Sequence, residues 1–197
     1  MQYPANKQVI ILNPKSDHLR MDPHKFALWL FLGTTFMLFA ALTSAYIVKK
    51  GDGNWLDYEL PQALWYSTAL ILVSSAAMHW AYRAASRDKT EHVKIGILSA
   101  LVLGVGFLGM QYYSWAGLVA QNVYFVGNPA GSFLYVFTGL HGLHLVSGII
   151  FLAVVSVNAF RMKIHSGRLR QIEMCATYWH FLGILWVYLF VFLLMNH

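Results

Sequence analysis

Apolar residues in this chain come in five long blocks, not at alternate positions and not along one face of a helix. The blocks run from about Phe26 to Val48, Ala63 to Tyr82, Ile95 to Ala120, Ser132 to Phe160 and Ile172 to Met195. Crossing a bilayer takes about 20 predominantly apolar residues, so each block can span one. Apolarity continues around the whole helix, the pattern of a segment enclosed by lipid or by other helices. No Asp, Glu, Lys or Arg interrupts the first four blocks, and Glu173 sits at the mouth of the fifth. The pattern predicts an all-α polytopic membrane protein. A bundle of five transmembrane helices occupies residues 25–197 (helices about 26–48, 63–82, 95–120, 132–160 and 172–195), after a solvated tail over residues 1–24.

Composition agrees. Only 11% of the 197 residues are charged and the mean hydropathy is +0.52, whereas soluble domains carry about 25% charged residues. The charges that remain are placed asymmetrically. The tail holds Lys7, Lys15, Arg20 and Lys25, the second connection Arg83, Arg87, Lys89 and Lys94, and the fourth Arg161, Lys163, Arg168 and Arg170. The opposite side has only Lys49 and Lys50, beside Asp52, Asp57 and Glu59. By the positive-inside rule the N-terminus is cytoplasmic and His197 lies outside. The net charge of +6 thus reflects topology, and no basic cluster interleaved with aromatics suggests a nucleic-acid partner. The first block is too long for a signal-peptide core and is expected to be retained. A lone Cys175 excludes an internal disulfide or Cys-rich metal site.

Small residues four apart predict close helix approaches: Ala41 with Ala45, Ala100 with Gly104, Thr138 with Gly142. Gly106 and Gly109 suggest a bend or a tight contact in the third helix. Trp55, Tyr58, Trp65 and Tyr66 on one side, and Trp80 and Tyr82 on the other, are expected to form interfacial belts.

The few polar residues at membrane depth are the candidate chemistry: Gln111, His141, His144 and His180, with His79 nearer one end. Such residues are costly in lipid and face a bundle interior. At about 1.5 Å per residue, His144 and His180 fall at similar depths, and a hydrogen-bonded cluster of His141, His144 and His180 is expected. Three readings compete. Paired haems on a bundle need ligands about 13 residues apart on one helix; His79 and His92 have that separation, but His92 lies in a charged connection. A copper or zinc ion would normally add a carboxylate or thiolate, and none is in reach of these imidazoles. Neutral histidines bonded to one another, to backbone, to water or to a lipid head group need nothing further, and the residues favour this reading. No column of acids or lysines predicts a proton path, and no broken helix pair predicts a transporter.

With the helices and polar residues placed, the chain resembles subunit III of the haem–copper oxidases. The most specific segment is GSFLYVFTGLHGLHLVSG, Gly131–Gly148, similar to the family's TGxHGxH core. The second is YWHF, Tyr178–Phe181, which contains Trp179 and His180 and is preceded by Glu173 and followed by Trp186. GFLGMQYYSW, Gly106–Trp115, resembles a further family helix and keeps Gln111; LPQALWYSTALILVSSAAMHWA, Leu60–Ala81, resembles another. The resemblance covers about residues 26–196 and fits the shorter five-helix bacterial members.

It implies a non-catalytic accessory subunit of a proton-pumping cytochrome c oxidase in the bacterial inner membrane. It implies no cofactor in this chain, with haem and copper in partner subunits, packing against subunit I beside subunit II and other respiratory-complex subunits, bound phospholipid, and support of proton uptake. His141, His144, His180, Trp179, Glu173 and Gln111 become a structural or lipid-associated polar set. The alternatives are the related subunit of a quinol oxidase or nitric oxide reductase and, in a different class, a membrane b-type cytochrome. Three family acids are replaced here, by Thr35 in WLFLGTT, by Ser114 and by Gly183, so roles tied to those carboxylates do not carry over.

Overall fold

The computed structural model describes residues 22–53, 55, 58–160 and 169–196. These form five helices: α1 Pro23–Gly51, α2 Ala63–Ala85, α3 Thr90–Ala120, α4 Pro129–Phe160 and α5 Arg170–Asn196. Most of the tail, Asp57, Arg161, Lys163, Arg168 and His197 lie outside the described residues. Every expected block is a helix, and four of them (α1, α3, α4 and α5) are long and apolar enough to cross a membrane. The remaining one, α2, is 23 residues long, which at about 1.5 Å per residue also matches a bilayer. Its apolarity is diluted by Ser67, Thr68, Ser74, Ser75 and His79.

The helices run past their apolar blocks. α1 starts at Pro23, inside the expected tail, because proline fits the first helical turn, where its missing N–H is no loss. α3 starts at Thr90 and carries Glu91 and Lys94, ion-paired at 2.8 Å, as a helical turn beyond its apolar stretch. Loss of hydrophobicity marks where a helix leaves the apolar layer, not where it ends.

Half of α5's most apolar stretch is buried within the chain against 22% of α1's, so α5 is central and α1 peripheral. α2 and α3 pair most extensively, as an antiparallel hairpin. A Cβ on Gly96 would sit 2.8 Å from the Cβ of Ala81, so only glycine permits this approach. The Ala100–Gly104 stripe also packs as expected, with Ala100 fully buried and Gly104 against the Trp179 ring. Ala41 and Ala45 do not: both are exposed on α1, which packs mainly against α5 and α4. Gly142 has only Leu108 near it, and α3 continues unbroken through Gly106 and Gly109. Among the expected belt residues, Trp65, Tyr66 and Trp80 are exposed. Tyr58 is buried instead, clustered with Tyr46 and with Trp55 packed alongside.

Candidate functional site

At three residues' spacing His141 and His144 differ by roughly 60° around α4, since successive residues turn 100°. That offset sends them to different neighbours. His141 points into the bundle, fully buried between Phe107 on α3 and Trp186 on α5, with ring centroids at 5.8 and 5.0 Å. His144 turns toward α1, where Phe31 and Phe39 lie at 6.1 and 5.8 Å. Its Nδ1 is 2.7 Å from the Leu140 carbonyl oxygen. A carbonyl can only accept, so Nδ1 is the donor in this bond.

His180 stands elsewhere again. Its Nδ1 hydrogen-bonds Ser75 Oγ on α2, and its ring is 5.8 Å from that of His79. The expected hydrogen-bonded triad is therefore replaced by three separate environments: an aromatic box for His141, the α1 interface for His144 and the α2–α5 face for His180. Similar depth along neighbouring helices does not make side chains converge when each helix presents them at a different azimuth.

The other expected residues act as ties between helices. Trp179 Nε1 donates to Ser74 Oγ at 3.0 Å, and Ser74 donates to the Ala100 carbonyl at 2.9 Å, joining α5, α2 and α3. Glu173, in the first turn of α5, pairs with Lys25 of α1 at 2.9 Å, and Arg170 with Asp22 at 3.1 Å. Gln111 is buried and donates from Nε2 to Ser67 Oγ at 3.4 Å.

Hydroxyl groups, which the sequence reading left aside, supply most of the remaining ties. Tyr178 and Ser147 bond through their hydroxyls at 2.6 Å, Tyr188 and Thr43 at 3.0 Å. Trp186 and Trp115 donate to Thr68 and Thr138 at 2.9 and 3.0 Å. The available signal was the recurrence of single hydroxyls, and one serine pair, inside otherwise apolar blocks. Among the described residues, Thr35 and Ser114 bond only to their own helices, at Phe31 and Met110.

Two open grooves meet at His180 along α2 and α5. One, of about 560 Å³, is mostly apolar and includes Leu72, Ile184 and Val187. The other, of about 280 Å³, is polar and includes His79, Tyr82, Glu173 and Thr177. Together the two grooves are amphipathic, apolar along one stretch and lined by polar side chains along the other. Among the described residues no three His, Cys, Asp or Glu side chains gather into a metal-ligand set.

The family model described as cytochrome c oxidase subunit III matches residues 57–196. Cytochrome c oxidase subunit 3 of Triticum aestivum is 30% identical over 145 residues, 72% of this chain and 51% of the wheat protein. The chain thus spans about half the length of that relative. The protein of the same name from Bacillus sp. (strain PS3) is 25% identical over 82% of this chain and 80% of its own length. The probable quinol oxidase subunit 3 of Staphylococcus saprophyticus is 25% identical over 85% and 86%.

Proposed function

Because this chain belongs to the cytochrome c oxidase subunit III family, we propose that it is the non-catalytic accessory subunit of a proton-pumping terminal oxidase, a cytochrome c oxidase. In this reading it packs against subunit I beside subunit II, while haem and copper in those partners reduce oxygen to water. The N-terminal tail and the Lys25–Glu173 end face the cytoplasm, His197 faces the periplasm, and the host membrane is a bacterial inner membrane. The observation that carries the reading is the family match across α2 to α5. The arrangement of side chains supports it: histidines, indoles and hydroxyls mainly tie helices together and do not surround an open reaction centre.

The α2–α5 grooves support a phospholipid role for the His180 region. An acyl chain fits beside Leu72, Ile184 and Val187. The head group fits near His79 and Thr177, beside the Lys25–Glu173 ion pair, whose carboxylate lines the groove. From Glu173 to Tyr188 the helix rises roughly 22 Å at 1.5 Å per residue, the scale of a lipid tail.

Purification in mild detergent through a tag on this chain tests the proposal. Recovery of a haem- and copper-bearing subunit I and a subunit II with a copper domain supports it. A stoichiometric haem band in the isolated chain sinks it and points to a b-type cytochrome. A complex that oxidises quinol and whose subunit II lacks copper selects the quinol oxidase alternative, in keeping with the Staphylococcus relative's name.

A further inference from the structure

Ser67 and Thr68 on α2, Gln111 on α3, His141 on α4 and Trp186 on α5 are linked into one polar layer across the bundle. The links are Gln111 to Ser67, Trp186 Nε1 to Thr68 Oγ1 at 2.9 Å, and the His141 ring against Trp186 at 5.0 Å. Phe107, one turn before Gln111, stands edge-on to both the His141 and Trp186 rings. The hydroxyls of Ser67 and Thr68 both donate to the Leu64 carbonyl. Three atoms of the layer have no partner among the described residues: Gln111 Oε1 and both ring nitrogens of His141. His141 is 0% exposed and Gln111 3%, so neither lipid head groups nor a neighbouring subunit can reach them.

We propose that this layer is an internal water-binding site, in which one molecule donates to Gln111 Oε1 and to the unprotonated nitrogen of His141. Unpartnered polar atoms are costly in a bundle surrounded by hydrocarbon, and buried polar groups of this kind are commonly satisfied by ordered water. Water suits the chemistry, because an amide oxygen and an imidazole acceptor both require a donor. A cation does not, since the layer offers no carboxylate. Bound there, water joins α3 to α4 where no direct hydrogen bond between Gln111 and His141 does so.

The test is a cryo-electron-microscopy map of the assembled, detergent-solubilised complex at a resolution that shows ordered water. Density at about 2.7–3.2 Å from both Gln111 Oε1 and a His141 ring nitrogen is expected. A direct bond between these side chains, a dry site, or density at metal-coordination distance overturns the proposal. A thermodynamic cycle on the same complex gives a second readout, using Gln111→Leu, His141→Phe and the double variant. If one molecule serves both residues, the second substitution lowers the temperature of subunit release far less once the first is present. Strictly additive shifts overturn the shared site.

Discussion

The indole N–H of Trp179 reaches Ser74 Oγ at 3.0 Å across the α5–α2 contact. The same ring is gripped by two glycines: an added Cβ would come within 2.6 Å of it at Gly104 and 3.4 Å at Gly148. One side chain thus fixes the spacing of α2, α3, α4 and α5. Trp179→Phe removes the donor and part of the ring. The expected loss is about 1–3 kcal/mol from the missing hydrogen bond and the space left behind, read as a lower temperature for release of this subunit from the complex.

Gly104→Val should be worse than the tryptophan substitution. The Trp179 ring has no room to retreat, since Gly148 and Leu182 stand close by. Overpacking of this kind costs about 1–3 kcal/mol or more, and bulk next to backbone on a central helix falls at the upper end. Co-purification of the variant with its partners should drop, and Gly104→Ala should give an intermediate yield.

His144→Ala removes the ring that fills the gap between α4 and the Phe31 and Phe39 side chains of α1. Because these ring contacts join α1 to α4 at the edge of the bundle, weaker assembly or lipid retention is expected, while the haem and copper content of the assembled enzyme stays unchanged. Copper lost in proportion to the substitution, by metal analysis, would contradict this. His141→Ala should behave in the same direction.

Thr35→Val and Ser114→Ala should be nearly silent, within about 0.5 kcal/mol of wild type by thermal release. Both hydroxyls bond only to a carbonyl one turn earlier in their own helix, so no second helix loses a partner. A large effect at Thr35 would show that its hydroxyl does more than bond within α1.

The Lys25–Glu173 pair is two-fifths exposed on each side, and ion pairs of that exposure contribute about 0–1 kcal/mol. Glu173→Gln should change thermal release little. Lys25→Ala should instead lower retention of anionic phospholipid, measured by mass spectrometry of lipids co-purified with the complex.

The helices were legible because a bilayer demands long apolar runs, and the connections were legible because charges collect there. Helix ends were less so: Pro23 and Thr90 begin helices several residues before the apolar blocks. At the site, sequence position gave the depth of His141, His144 and His180 but not their azimuth relative to neighbours, so three separate environments looked like one cluster. Ala41 and Ala45 misled for a related reason. Small-residue spacing marks a face that permits close approach, but it does not say whether this chain supplies the partner.

The α2–α3 hairpin bears on how the chain is made. Ser74 spends its hydroxyl on the Ala100 carbonyl, and the close seat of Ala81 against Gly96 exists only once both helices are present. Until α3 emerges from the ribosome, the least apolar of the five segments has nothing to shelter it. α2 is therefore expected to enter the bilayer as half of a pair, with a truncation after residue 89 leaving it accessible to protease in a membrane-insertion assay.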